Sequence, residues 1–395
     1  MIVFIEPFCG GSHQYVLKLL QQKYEDSHEF QTFSLPDRKW HWRMLVSAPV
    51  FAGMIPSNIF KDSTNKTQSL TEAREKNTIV LSAMINVAEF FGLRPDLNCA
   101  KKVLYFHENQ LEYPKSCNEA EKSKGQSSFN LVYNQIISCF VVDEVYFNSK
   151  YNMTTFLEQI DPFMNKIPKS SRPESIKRAS IEKKCKVLYI PITAPLYLEP
   201  TGTRSENLQL HVVWAHRWEH DKDPEMFMRV ILELGCIPNL KFSLSVLGQQ
   251  VEAVRNEFEL AEQKVKDCPN ISILNWGGVE SRTEFLKILR TADVAVSTAR
   301  HEFYGLSMLE ACTCGAFPLV PKRLSYPELF PAECMYTTER SLLKKLRHFI
   351  RHPEISRRKM KEPTWTRRME KFQWSYLKHS WNAALVGDST AMNVE

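Results

Sequence analysis

Short apolar runs alternate with stretches of helical spacing along almost the whole chain, and this alternation limits the fold more than any other feature. In the first half, apolar runs stand at 2–5, 30–35, 78–82, 102–106, 144–148 and 186–190, with helical stretches between several of them, notably 13–23 and 129–142. A second series follows at 211–215, 241–247, 271–274, 293–297, 317–320 and 334–337. There, one helix opens at Pro224 behind Asp223, and another begins on the capping-box pair Ser281 and Glu284. Strands alternating with helices predict parallel sheets covered on both faces. With 395 residues, 43% of them hydrophobic, there is material for two cores. The expected class is therefore α/β, with two Rossmann-like, doubly wound domains facing a central cleft lined by strand C-terminal ends. Their bounds are 1–195 and 210–364, with a proline-bearing linker at 196–209. A last segment, 365–395, contains a helical candidate at 365–385 that packs back across the first half. The polar stretches 61–77, 115–128 and 165–184 read as surface loops.

The most informative stretch is DVAVSTARHEFYGLSMLEACTCG, residues 293–315. A short strand of small and β-branched residues leads into a polar turn holding His301, Glu302, Phe303, Tyr304 and Gly305. A helix then starts at Leu306 and closes at Gly315. The free N–H groups and partial positive charge of a helix start suit a phosphate. Glu302 faces that start from the loop, and Glu310 lies about one turn inside the helix. Carboxylates accept hydrogen bonds from hydroxyls, so a diphosphate with a sugar at either end, a nucleotide sugar, fits the arrangement. Chance remains open as the alternative, because strand–turn–helix units recur in any α/β protein.

Three further constellations fall at strand ends. EPFCGGSH follows the first strand: Gly10 and Gly11 allow the backbone close to an anion, and Ser12 can cap the next helix. A plain tight turn would look the same. After the first strand of the second half, WAHRWEHDKDP places Arg217 and Lys222 on one loop. These cations could neutralise a diphosphate leaving group, or pair on the surface with Glu219, Asp221 and Asp223. In FHENQ, His107 sits at a strand's C-terminal end, where it could bond a sugar hydroxyl or stand as a satisfied core histidine. By position alone, Trp276 and Gly277, in the loop expected after 271–274, are the expected base pocket.

The totals exclude several classes. No uncharged apolar run is long enough for a membrane span, and no secretory signal opens the sequence. The ten scattered cysteines, including Cys312 and Cys314 within one helix, suit a reduced cytoplasmic or nuclear chain rather than a zinc site. The triplets headed by Asn65, Asn152 and Asn270 then read as chance glycosylation matches. No acidic cluster stands at a strand end, so neither a metal nor another cofactor is implied. Charge is concentrated: residues 340–371 hold twelve Lys/Arg against three Asp/Glu, a balance of +9 in a chain of net +6. A second basic run, 166–186, has eight Lys/Arg and two Glu. Such runs suit nucleic acid, or are solvated helix faces and a flexible loop. RKWHWR at 38–43 interleaves basic and aromatic residues as a surface for unpaired bases would, or is a half-buried Trp pair fixing a loop.

Taken together, these residues resemble the retaining GT-B glycosyltransferases related to glycogen synthase and bacterial mannosyltransferases. Arg217 and Lys222 match that group's Arg and Lys separated by four residues; Glu302 and Glu310 match its two Glu separated by seven. Over nearly the whole chain, KWHWR, FHENQ, HRWEHDKDPE, HEFYG and YPELFPAE resemble the tRNA-queuosine α-mannosyltransferase family. This likeness implies transfer of mannose from GDP-mannose to the cyclopentenediol of queuosine in the anticodon of aspartate tRNA. Glu302 would hold the sugar hydroxyls and Glu310 the ribose. Arg217, Lys222 and the helix start at Gly305 and Leu306 would hold the diphosphate, with no metal. Retaining transfer would pass the acceptor proton to the leaving phosphate oxygen, so no separate general base is required. The rival readings are a related transferase acting on a lipid or small glycoside, and a non-catalytic RNA-binding relative.

Overall fold

The computed structural model describes residues 1–60, 74, 76–112, 125–194, 209–248 and 255–387. Most of the loops expected at 61–77 and 115–128, the linker at 196–209 and the extreme tail lie outside the described residues. The chain forms two compact units, Met1–Pro191 with Leu377–Glu395, and Ile192–Tyr376.

The first unit is built on β1 (Ile2–Cys9), β2 (Phe30–Pro36), β3 (Thr78–Ser82), β4 (Lys101–Phe106), β5 (Glu144–Phe147) and β6 (Cys185–Val187). They form one parallel sheet in the order β2-β1-β3-β4-β5-β6. Ile2 to Ile5, Ile79 to Leu81 and Val103 to Phe106 are buried on both faces, which is why these strands read as unbroken apolar runs. The helix Trp40–Met54 replaces the loop envisaged around RKWHWR. Met44, Ser47, Ala48 and Phe51 hold it to the core at helical spacing, while its internal Pro49 and apolar outer face hid it from the sequence reading. The stretch 165–184 is less irregular than expected, since it includes the short helix Arg178–Glu182 anchored by buried Ile181.

The second unit contains β7 (His211–Ala215), β8 (Phe242–Leu247), β9 (Ile271–Gly277), β10 (Val294–Val296), β11 (Phe317–Pro321) and β12 (Met335–Tyr336). Its parallel order, β12-β11-β10-β7-β8-β9, reverses direction between β7 and β10, the switch point at which such sheets bind ligands. The loops carrying Arg217 and Lys222 and carrying Glu302 and Gly305 leave these two neighbouring strands. Strand β9 runs past its expected end at 274, because a register shift opposite Leu244 and Ser245 keeps the ladder intact. Trp276 and Gly277 therefore sit in a strand paired with Val246 and Leu247, rather than in a loop.

The helix expected over 365–385 is two helices, Pro363–Glu370 and Trp374–Leu385. The chain breaks at Phe372, whose carbonyl accepts from the Ile192 N–H (2.7 Å). From Leu377 it belongs to the first unit: the Tyr24 hydroxyl donates to Asn382 Oδ1 (2.7 Å), and Trp381 Nε1 donates to the Tyr189 carbonyl (3.1 Å). All nine cysteines among the described residues are free thiols. Among those residues no helix is long and apolar enough to cross a membrane.

Candidate active site

In the second unit the loop after β7 is locked to the loop after β10. Arg300 forks onto Asp223 (Nε to Oδ2 2.8 Å, Nη2 to Oδ1 2.9 Å), and Asp223 also caps the helix beginning at Pro224. The backbone carbonyl of Asp221 accepts from the N–H groups of Arg300 and His301. Thr298 bridges the two loops by donating to the Lys222 carbonyl (2.7 Å) and accepting from Trp214 Nε1 (3.1 Å). This frame fixes the Lys222 amine. It lies 3.3 Å from Glu302 Oε2 and 3.1 Å from Asp221 Oδ2, and donates to the His301 carbonyl (2.9 Å). The Lys222 side chain is only 14% exposed, so burial favours the neutral amine, but Glu302 and Asp221 outweigh burial and raise its pKa. Lys222 is a fixed cation. Arg217 points elsewhere: its side chain is 55% exposed and 3.3 Å from Glu219 Oε2. Behind them, burial and then the Lys222 charge lower the pKa of His216 to about 4, against the opposing pull of Glu302 and Asp221.

The helix Leu306–Thr313 starts on Gly305 at φ +91, where a Cβ would stand 3.0 Å from the Tyr326 ring and 3.6 Å from Glu302 Cγ. That close approach and the left-handed backbone both require glycine. The N–H groups of Leu306 and Ser307 find no acceptor among the described residues, as at any open helix start. Phe303 and Tyr304 are buried beneath the turn, with the Ser325 hydroxyl donating to the Tyr304 carbonyl (3.0 Å). Glu310 lies buried one turn in and bonded to Arg282. Burial raises its pKa and Arg282 pulls the other way. Each expected carboxylate thus has its own cation, Lys222 for Glu302 and Arg282 for Glu310. Trp276 packs against Phe258 (5.3 Å between ring centres) and Trp218 (6.3 Å), and its buried Nε1 has no hydrogen-bond partner among the described residues.

In the first unit a polar cluster lies at the ends of β1 and β4. Glu6, fully buried, accepts from the Phe8 N–H (2.9 Å) through one oxygen, and its other oxygen is 2.9 Å from His13 Nδ1. The His13 ring stacks on His107 with centres 3.8 Å apart. Both His107 ring nitrogens are buried without a hydrogen-bond partner among the described residues, and burial together with the neighbouring His13 holds its pKa well below the usual histidine range. Candidate ligand atoms of Glu6, His13 and His107 lie within 4.8 Å of one another. The cluster thus offers one carboxylate and two imidazoles that could serve a ligand's hydroxyl groups or a shared ion. Ser12 does not cap the helix Gly11–Tyr24: the helix has already begun at Gly11, Gly10 stands at the cap position, and no side chain caps it. A Cβ on Gly10 would fall 2.2 Å from the Asp37 carboxylate, whereas Gly11, at φ +53, has open space beside it.

Sequence reasoning offered Asp221 as a surface partner for the loop cations, but it paired neither Lys222 with Glu302 nor Glu310 with Arg282, and it gave Glu6 and His13 no role. A carboxylate inside the apolar run IVFIE was the available signal for Glu6, since a buried charge needs a partner.

Solved structures similar to the chain include sucrose-phosphate synthase from Thermosynechococcus elongatus, with a TM-score of 0.66 and 12% identity over 97% of each chain. Anabaena Alr3699/HepE, solved with UDP and glucose, has a TM-score of 0.65 and 12% identity, covering 96% of this chain and 98% of its own. At such identities the likeness speaks for the fold alone, and that fold is GT-B, the two-domain α/β class of glycosyltransferases. A family model described as tRNA-queuosine alpha-mannosyltransferase N-terminal matches residues 1–192. The tRNA-queuosine alpha-mannosyltransferase of Drosophila melanogaster is 38% identical over 364 residues, which is 90% of this chain and 89% of that one. The chain belongs to the tRNA-queuosine alpha-mannosyltransferase family.

Proposed function

We propose that the chain transfers mannose from GDP-mannose to the cyclopentenediol of queuosine in the anticodon of aspartate tRNA, with retention at the sugar carbon. Beside the family relationship, one observation carries this reading: Lys222 is held charged beside Glu302, on the loop that leads into the open helix start at Leu306. Lys222 and the Leu306 and Ser307 N–H groups would stabilise charge growing on the diphosphate, with Arg217 swinging in from the surface. Glu302 would position the mannose hydroxyls, Glu310 the ribose, and His107 a sugar hydroxyl. Gly10, Gly11 and Ser12 would offer backbone and hydroxyl groups to a ligand, and Trp276 and Gly277 remain the proposed surface for the base. The reading needs no metal, so transfer should persist in excess chelator. It places the enzyme in the cytoplasm or nucleus, where mature tRNA is found.

Incubation with each GDP- and UDP-sugar, plus queuosine-containing and queuosine-free tRNA, tests the reading. Label is expected only with GDP-mannose and queuosine-containing tRNA; no label there with any donor sinks it. A lipid or small-glycoside acceptor has one observation in its favour, the exposed Trp42, Val46, Val50 and Met54 along one face of the helix Trp40–Met54. Trp40 (40% exposed) and Trp42 (60%) equally offer indoles for stacking on unpaired bases. Label in a lipid extract but not in tRNA would decide for the former.

A further inference from the structure

The helix Glu339–Arg351 carries two opposed stripes. Leu342, Leu346, Phe349 and Ile350 bury one side in the second unit. On the other, Arg340, Lys344, Arg347 and Arg351 follow at steps of four, three and four, which makes successive side chains neighbours about 5–6 Å apart. All four are exposed, and none has a hydrogen-bond or ion-pair partner among the described residues. Other cations of this basic region do have partners. Arg357 is bonded to buried Asp293, Lys359 to Glu333, and Lys345 donates to the Glu333 carbonyl. Glu339, next to Arg340 in the sequence, is held by Arg229 (2.8 Å) and does not neutralise the stripe. Arg358 and Arg367 add exposed cations on the next two helices.

We infer that this stripe docks the phosphate backbone of a folded RNA, the stem of the acceptor rather than its reacting nucleotide. The inference rests on the tRNA reading above and adds a surface to it. Four cations in line over roughly 16 Å of helix can follow consecutive phosphates of one strand. Phosphate contacts of this kind fix register and orientation without reading sequence. An anionic membrane would be a weaker match, because interfacial helices insert apolar side chains, and the exposed positions of this helix carry none.

The test replaces Arg340, Lys344, Arg347 and Arg351 together by Gln, and separately makes Lys344→Glu with Arg347→Glu. Because none of the four has a partner among the described residues, both variants should keep wild-type thermal unfolding and GDP affinity. Initial rates are measured against queuosine-containing tRNA between about 50 and 200 mM salt. KM for tRNA should rise about 10- to 100-fold. The salt slope of log(kcat/KM) should become shallower by about three to four in the Gln variant. The kcat at saturation, and transfer to free queuosine nucleoside, should not change. Unchanged KM and salt slope would overturn the inference, as would a variant that loses only binding to phosphatidylserine vesicles. If the wild type labels no tRNA, the functional reading fails on its own. Salt-dependent binding of bulk tRNA, lost in both variants, would then still support the docking surface, and its retention would overturn it.

Discussion

Lys222→Met removes the charge lying between two carboxylates, and its consequences can be worked from the distances. The amine is 3.1 Å from Asp221 and 3.3 Å from Glu302. At an effective dielectric of about 20, each contact is worth about 5 kcal/mol of bare attraction, most of it offset by desolvation. Removing one member of a buried pair costs about 3–5 kcal/mol, because the remaining charge is left uncompensated. Here two carboxylates are left facing each other, so unfolding stability should fall by at least about 3 kcal/mol. Glu302→Gln is milder, since Lys222 keeps Asp221 and the His301 carbonyl, and about 1–2 kcal/mol is expected.

Nucleotide binding and turnover should show the same order. Without Lys222, an incoming diphosphate meets Asp221 and Glu302 with no cation between them, so GDP affinity should drop by about 100-fold. Loss of one preorganised donor to the leaving group lowers kcat by about 10²–10³-fold. Chemical denaturation, calorimetric GDP titration and a mannosyl-transfer assay on both variants read the three quantities separately. If Lys222→Met binds GDP normally and keeps kcat within about threefold, Lys222 does not face the diphosphate, and the proposed site is wrong.

Two further outcomes follow from the same geometry. Arg282→Gln leaves buried Glu310 without its cation, so KM for the sugar nucleotide should rise about tenfold, about 1.4 kcal/mol, with kcat little changed; an unaltered donor KM would reduce the pair to a structural one. His216 titrates near 4 in the folded protein against 6.5 for the ordinary group, so the unfolded chain takes up its proton first as the pH falls. Its contribution is complete above about pH 6.5 and is lost towards about pH 4, in all about 3 kcal/mol. Denaturation of His216→Gln across that window should show a flatter pH dependence than wild type, and an identical slope would count against a buried neutral imidazole.

How much of this was legible in the sequence depended on whether the signal was local. The strands were, because a strand buried on both faces writes itself as a continuous apolar run, and all twelve begin within about one residue of expectation. Lys222 and Glu302 were also legible, since both follow strands whose ends converge at the switch point. Arg282 was not: its partner lies 28 positions away, and only the packing of two helices brings them together. The helix Trp40–Met54 was hidden for a different reason. Exposed Trp42, Val46, Val50 and Met54 erase the polar half of its pattern, so the period that marks a surface helix is missing.

FHENQ shows what coordinates add where a motif alone leaves two readings open. Asn109 and His107 stand two residues apart, both buried, and nothing in the sequence ranks one above the other. Asn109 is fully occupied within the fold: its amide donates to Asn152 Oδ1 (2.8 Å) and Thr155 Oγ1 (3.1 Å), and its oxygen accepts from the Glu112 N–H (2.9 Å). It holds the loop. Among the described residues His107 has no hydrogen-bond partner for either ring nitrogen, in a place where leaving a polar group unsatisfied costs about 1–3 kcal/mol. Burial and His13 keep the ring neutral, so one nitrogen donates and the other accepts. Such a group is complementary to a hydroxyl, which also donates and accepts. The core-histidine reading expects a partner inside the protein, and among the described residues the ring has none.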